Sequence, residues 1–577
     1  MRKSLSILLA LNLAATQAVA IPPTPPPPPP QPPQVLCLNR SVGAENGSIV
    51  TTGTRIAHPQ LRAPSPLAPS YAPPPPPPPA PPPPPTVSVG QSMSASPAIA
   101  GVPAYARAED RERYAGKKVA AVQRAADTPV STFSIDVDTG SYSNSRRFLL
   151  GGGTPPAAAV RTEEFLNYFR YDYPRPTDRT RPFSVTTDVA ATPWNADTRL
   201  IRVGLRGYDV AREHRPSANL VFLVDVSGSM QSEDKLPLVK AALSGLADRL
   251  NPGDRVSIVV YAGAAGLVLR PTHNKQAVKA ALGCLDAGGS TAGGDGIRLA
   301  YAVAREAFIE NGINRVILAT DGDFNVGTTS DEALKELVKQ QRESGITLTT
   351  LGFGTGNYNE TMMEAIADVG NGNYGYVDSA MEAQKLLEAE LSSTLFTIAR
   401  DVKVQVEFNP AAIAEYRLIG YENRALRDED FANDRVDAGD IGAGHQVTAL
   451  YEVVPVGARG WLGERRYAPA AAGAGRGEEA AWVKLRYKLP GEEASRLIEQ
   501  PIALAALRGP GPPRGDFAFA AAVAAFGQRL RGDAQLRGYD FGDIRRLAGD
   551  GGNYWRQEFV KLVGLAQRSA PSSGGSE

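Results

Sequence analysis

Cysteine and histidine are scarce in this chain of 577 residues. The two cysteines, Cys37 and Cys284, exclude a disulfide framework and a cysteine-rich metal site. The four histidines, His58, His214, His273 and His445, are scattered, and no pair has the i, i+4 spacing of a zinc-binding helix. An excess of either charge is missing too, because 61 Lys+Arg balance 61 Asp+Glu. That removes the whole-chain basic field of a nucleic-acid binder and the acidic field of a self-repelling tail. Beyond the first twenty residues no apolar run reaches the roughly 18–20 residues that span a bilayer. Apolar residues make up 42% of the chain, a little below the usual level of about 45–50%. The shortfall has a location: 26 of the 48 prolines lie between Ile21 and Pro85. That stretch cannot build a core. From about residue 128 the composition is ordinary and the length suffices for a large one.

The N-terminus reads as an export signal over residues 1–20. Arg2 and Lys3 precede the apolar stretch Leu5–Ala15, and Ala18-Val19-Ala20 forms a small-residue cleavage site followed by Pro22 and Pro23. Leu36 before Cys37, far from the apolar stretch, argues against a lipid anchor. The expected location is the periplasm, the cell surface or the medium, with no transmembrane span. Residues 21–127 read as a disordered or semi-rigid spacer. Its runs Pro25–Pro30, Pro73–Pro79 and Pro81–Pro85 favour extended polyproline II.

Three further segments follow. Residues 128–216 open with the alternating strand pattern of Thr132–Asp138, followed by helical stretches over 140–170 and strands at Phe183–Ala191 and Leu200–Gly207. Residues 217–399 alternate strand and helix. Leu220–Val224, Arg255–Tyr261, Val316–Ala319 and Thr347–Phe353 are short apolar runs of the kind buried on both sheet faces. Tyr374–Val377 is a last strand, and Met381–Ala399 reads as a helix. This rhythm predicts a doubly wound, mostly parallel sheet. Residues 400–570 return to strands, at Val402–Phe408, Tyr416–Tyr421, Gln446–Val454, Ala481–Tyr487 and Leu497–Pro501. They predict a β-rich, sandwich-like domain, and Asp516–Leu530 and Asn553–Arg568 add two C-terminal helices. Residues 128–216 and 400–570 each fall short of a complete core, so the two flanks are expected to form one β-rich unit with the self-contained α/β segment inserted in it.

The chemistry concentrates at the carboxyl ends of two predicted parallel strands. The first ends in Asp225-Val226-Ser227-Gly228-Ser229 and the second in Thr320-Asp321-Gly322-Asp323. In open α/β sheets that edge is where ligands bind. Between them, Gly288–Asp295 is a glycine-rich loop carrying Thr291. Two carboxylates and three hydroxyls form a hard-oxygen set suited to Mg²⁺, with Mn²⁺ or Ca²⁺ as alternatives, and unsuited to Zn²⁺ or Cu²⁺.

These residues resemble the metal-ion-dependent adhesion site (MIDAS) of von Willebrand factor type A (VWA) domains. Asp225-x-Ser227-x-Ser229, Thr291 and Asp321-Gly322 match it in order and in strand–loop context. The resemblance implies that Ser227, Ser229 and Thr291 contact the metal, and that Asp225 and Asp321 act directly or through water. It extends to the flanks of a bacterial VWA-protein family, through Ser134-Ile135-Asp136-Val137-Asp138-Thr139, Leu418–Arg424 and Ala449–Val453. It covers about three quarters of the chain and leaves out the proline-rich segment.

Other chemistries fit less well. Asp136-x-Asp138-x-Gly140 has Ser141 and Arg147 where a calcium loop needs Gly and Glu, so strand and turn are expected there. Gly288–Gly296 lacks the Gly-Lys-Ser/Thr of a phosphate loop. No G-x-S-x-G elbow supplies a hydrolase nucleophile, and His273 and His445 are expected at the surface. The reading is therefore a binding module and not an enzyme. Its metal would accept a Glu or Asp carboxylate from a protein partner. The alternatives are an envelope scaffold with an internally satisfied metal and, behind it, a metal-assisted hydrolase.

Overall fold

The computed structural model describes residues 111–177, 180–211, 214–289, 293–322, 331–392, 396–463 and 477–569. The expected export signal, the spacer as far as residue 110, Thr291 and Asp323 lie outside these residues.

The first strand among the described residues lies inside the stretch 21–127 that was expected to be a spacer: β1 (Gln123–Arg124) pairs antiparallel with Glu415 and Tyr416, because its backbone completes a sheet edge that local composition does not reveal. In chain order the first segment then gives β2 (Val130–Ser134), α1 (Gly140–Leu150), α2 (Thr162–Tyr168), β3 (Phe183–Ala191) and β4 (Arg199–Gly207). The second gives β5 (Ala218–Asp225), α3 (Leu236–Asp248), β6 (Arg255–Tyr261), β7 (Ala265–Thr272), α4 (Lys275–Gly283), α5 (Gly293–Glu306) and β8 (Ile313–Thr320). It continues with α6 (Asp331–Glu343), β9 (Thr347–Phe353), α7 (Glu360–Val369), β10 (Tyr374–Val377) and α8 (Ala380–Ser392). The third gives β11 (Thr397–Phe408), β12 (Ile413–Ile419), β13 (Ala425–Leu426), α9 (Asp428–Phe431), β14 (Ile441–Gly442) and β15 (Gln446–Pro455). It ends with β16 (Glu479–Lys488), β17 (Arg496–Ala503), α10 (Gly515–Arg531), α11 (Phe541–Ala548) and α12 (Tyr554–Ser569).

The middle segment is a six-stranded sheet in the order β10-β9-β8-β5-β6-β7. All neighbours are parallel except β7, which pairs antiparallel with β6 at the edge. β5 is buried along its whole length. Leu220, Phe222 and Val224 face a core shared with α3, α4 and α8, while Val221 and Leu223 face α5, α6 and α7. Period-2 alternation within the apolar run Leu220–Val224 thus feeds two helical layers. Pro237 sits in the first turn of α3, where no N–H is needed, and Asn274 caps α4 by accepting from the Gln276 and Ala277 amides.

The segments on either side share two antiparallel sheets. One has the order β1-β12-β15-β4-β3 and the other β13-β2-β11-β16-β17, with β14 paired to β11. β15 alternates between them and a helical layer. Val447, Ala449, Tyr451 and Val453 enter the core between the sheets, and Leu450 packs toward α2, α10 and α12. Five of the six alanines in α10, Ala520–Ala522, Ala524 and Ala525, are fully buried, so small side chains let this helix sit close to its neighbours. Arg146 of α1 joins three parts of the chain. It meets Asp378 at 2.5 Å and Glu382 at 2.7 Å in the α/β segment, Glu558 of α12 at 2.8 Å, and the Tyr168 hydroxyl at 2.9 Å.

The helix expected over Met381–Ala399 is shorter than its apolar pattern. α8 ends at Ser392, and from Thr397 the chain is the strand β11, paired first with β14 through Thr397 and Ala399 and then with β16 and β2. Sheet pairing overrides helical spacing there. α11 has no long periodic run in the sequence. It is set by a reciprocal cap in which the Asp540 side chain accepts from the Asp543 amide and Asp543 accepts from the Asp540 amide.

Candidate functional site

β5 and β8 are neighbours, yet the connections from their carboxyl ends leave toward opposite helical layers. Asp225 ends β5, and Thr320 ends β8 immediately before Asp321. The crevice between the two ends is the topological switch point of the sheet.

Asp225 is fully buried and its oxygens are already engaged. One accepts from the Ser227 amide at 2.9 Å. The other accepts from the Thr320 hydroxyl at 2.9 Å and the Tyr261 hydroxyl at 3.1 Å. Burial pushes the Asp225 carboxyl up and the nearby Asp321 charge adds to this, while the hydrogen bonds from Ser227 and Thr320 oppose it. Ser227 and Ser229 turn their hydroxyls toward each other, 3.1 Å apart, across the short 3₁₀ turn Gly228–Gln231. The loop leading to Thr291 is tied beside them. Gly228 N donates to Gly289 O at 3.0 Å, and Gly288 N donates to Val226 O at 2.8 Å. Asp321 is also fully buried. Gly322 turns the chain away at φ +85°, and a Cβ there would overlap the Asn359 amide.

Four of the five residues picked out by the sequence therefore meet at one sheet edge, and Thr291 lies outside the described residues. The donors are hydroxyl and carboxylate oxygens, the hard set that Mg²⁺, Mn²⁺ and Ca²⁺ prefer. Among the described residues no three His, Cys, Asp or Glu side chains come together in a way that could hold an ion. The fit thus rests on the facing Ser227 and Ser229 hydroxyls with two carboxylates behind them.

Sequence reasoning missed Tyr261, Thr320, Asn357 and Lys235. Lys235 Nζ lies 3.0 Å from Asp321 Oδ2 and 3.2 Å from Asn357 Oδ1. Asn357 Nδ2 also donates to Asp321 Oδ2, at 3.3 Å. The only local signal was a charged residue just ahead of the apolar first turn Leu236–Val239 of α3. His445 is half-buried and not a surface residue. Its Nδ1 accepts from the Gly442 amide, and burial beside Arg170 and Arg315 pushes its pKa down to about 3.

A second concentration of charge lies where the α/β segment meets its flanks. Arg161 grips Glu364 through two nitrogens at 2.5 and 2.6 Å, with Glu164 at 3.5 Å and Glu360 at 3.8 Å. Arg424 meets Asp368 at 2.8 Å, Asp138 at 3.1 Å, Asp136 at 3.4 Å and Glu364 at 3.6 Å. Two guanidinium groups cannot neutralise so many carboxylates, so some keep their protons. Burial pushes Glu163 up to about 7 and Glu360 up to about 8. Asp136 and Asp138, expected only to shape a strand and turn, belong to this cluster and also line a cavity of about 260 Å³ with Asp368, Asn423 and Arg424.

Comparison with known proteins agrees with this architecture. The von Willebrand factor type A domain matches residues 219–389, a von Willebrand factor match covers residues 108–202, and the C-terminal domain of uncharacterized protein YfbK matches residues 393–568. Protein sll0103 of Synechocystis sp. is 32% identical over 32% of this chain and 43% of its own. The crystal structure of BatB from Bacteroides thetaiotaomicron is 26% identical over 30% of this chain and 98% of its own, with a TM-score of 0.28. The α/β segment is a VWA domain, a module that generally mediates protein–protein interaction. Among the described residues no helix is long and apolar enough to cross a membrane. Escherichia coli (strain K12) YfbK is 46% identical over 461 residues, which are 77% of this chain and 79% of that protein, and the chain belongs to this family of VWA-domain proteins.

Proposed function

We propose that the protein is an exported, metal-dependent binding module of the adhesion type. Ser227 and Ser229, with Thr291, would hold a divalent ion, Mg²⁺ before Mn²⁺ or Ca²⁺, with Asp225 and Asp321 acting directly or through water. Bound there, the ion would offer an electrophilic position to a Glu or Asp carboxylate of a partner protein. The observation that carries this reading is the engagement of Asp225. Its oxygens are occupied by Ser227 N, Thr320 and Tyr261, and Asp321 Oδ2 is held by Lys235 and Asn357, so the paired Ser227 and Ser229 hydroxyls are the donors without charge. An ion held mainly by neutral ligands keeps more of its charge for an incoming anion.

Export rests on Arg2, Lys3, Leu5–Ala15 and Ala18-Val19-Ala20. The test is affinity capture of partners by the full chain from envelope extract, in Mg²⁺ and in EDTA. A partner retained in Mg²⁺ and released by EDTA, and not captured by Ser227→Ala, is expected. A partner held equally in EDTA would overturn metal-dependent binding.

A further inference from the structure

Lys235 stands out because it brings a positive charge into a centre otherwise built to receive a cation. It is buried, with 6% of its surface exposed. Its ammonium is pinned between Asp321 and Asn357. Its stem has been given room: Gly354 adopts φ +72°, and a Cβ there would overlap the Lys235 side chain at Cγ, Cδ and Cε. The loop that supplies Gly354 and Asn357 is itself held from behind. Arg111 N donates to Gly356 O at 2.9 Å, Arg113 N donates to Tyr358 O at 2.8 Å, and Gly356 N donates to Glu112 Oε1 at 3.0 Å. A long, flexible side chain is thus fixed in one place by two layers of structure.

We propose that Lys235 is a built-in counter-charge that makes cation occupancy of this centre depend on an incoming carboxylate. The inference rests on the metal-dependent reading above and adds a positioning residue to it. Charge bookkeeping gives the reason. Asp225 and Asp321 bring two negative charges, and Lys235 cancels one. A divalent ion then leaves the centre with one net positive charge, which a single carboxylate neutralises. Without Lys235 the ion alone balances the two aspartates, and a carboxylate would make the centre negative. Lys235 therefore weakens metal binding on its own and strengthens the demand for an anionic ligand. An ordinary buried ion pair would stabilise or destabilise the fold without distinguishing these two states.

The experiment is calorimetric titration of the full chain with Mn²⁺, in chloride and in acetate at matched ionic strength, acetate serving as the carboxylate probe. Acetate should tighten Mn²⁺ binding to the unmodified chain. Lys235→Met should bind Mn²⁺ about tenfold more tightly in chloride, as removal of a close like charge requires, and should lose most of the acetate effect. Lys235→Gln keeps a donor for Asp321 without charge and gives the same reading if the methionine variant does not fold. Lys235→Arg keeps the charge and should retain the acetate effect. Equal Mn²⁺ affinity and equal acetate response in the unmodified and uncharged proteins would overturn the role of Lys235 alone. Absence of Mn²⁺ binding to both would overturn the metal reading, and this inference with it.

Discussion

The buried carboxylate Glu360 gives a quantitative test of how the VWA domain is joined to its flanks. Glu360 begins α7 and is fully buried, and neither of its oxygens has a hydrogen-bond partner among the described residues. Arg161 is the nearest cation, but its fork is engaged by Glu364, and it stands 3.8 Å from Glu360. Glu163, Glu164, Glu364 and the hydroxyls of Tyr358 and Tyr374 complete the ionisable surroundings. Burial raises the pKa from 4.5 to about 8, with the neighbouring acids adding to it and Arg161 opposing. Below the lower value the carboxyl is protonated in both folded and unfolded chains. Between the two values the folded protein holds a proton that the unfolded chain releases, so stability falls as pH rises. The slope is at most about 1.4 kcal/mol per pH unit, and across the window the loss reaches at most about 5 kcal/mol. Glu360→Gln carries the same shape with no proton to lose. Urea unfolding followed by tryptophan fluorescence should show the variant equal to the unmodified protein near about pH 4 and more stable by several kcal/mol near about pH 9. A variant that is less stable at both pH values, or that keeps the full pH slope, would refute the argument that Glu360 is held neutral.

Three further outcomes follow from the same contacts. Asp225→Ala should abolish Mg²⁺ or Mn²⁺ binding in calorimetry while circular dichroism keeps its α/β signature, and unchanged binding would remove Asp225 from the centre. Arg146→Met leaves Asp378 and Glu382 buried without their cation. It should cost about 3–5 kcal/mol in urea unfolding, and a shift under about 1 kcal/mol would show that the three-way contact is dispensable. Residues 397–569 expressed alone should give no cooperative melt, because β11 loses β2 and β15 loses β4. A sharp transition from that fragment would show that it holds a complete core.

The strands of the VWA domain were legible because burial on both faces writes itself as short apolar runs such as Leu220–Val224, and glycine-rich turns separate them. The candidate site residues were legible because Asp225, Ser227 and Ser229 lie within one turn of a strand end and Asp321 directly follows a strand of the same type. What escaped was which particular residues pair across long distances along the chain. Lys235 reaches Asp321 across 86 positions, and no local pattern announces such a pairing. The pairing of β2 with β11 spans the whole VWA domain; the union of the two flanks was legible because each is short of a core, but the strands that join them were not. Asp136 and Asp138 read as turn residues because their partner, Arg424, lies 286 positions from Asp138 and 288 from Asp136. The helix read over Met381–Ala399 ran too far because alanine, leucine and isoleucine serve both periods, and only the neighbouring strands decide between them.

The distribution of contacts also says what the flanking domain does for the binding edge. The flank approaches the sheet at the ends of β9 and β10, where Arg111–Arg113 hydrogen-bond to the loop after Phe353 and Arg146 binds Asp378. That loop carries Gly354 and Asn357, the two residues that fix Lys235 against Asp321. A VWA sheet needs no help to bury its core, since β5 is covered on both faces by its own helices. Its exposed loops are a different matter, because a loop remains soft unless something rigid holds it. Here the outer strand of contacts comes from the chain just ahead of the β-sheets, and the inner one comes from Lys235. Lys235 is therefore positioned by a loop clamped between two domains. The geometry of this sheet edge is thereby tied to the integrity of the whole unit and not to the VWA domain alone.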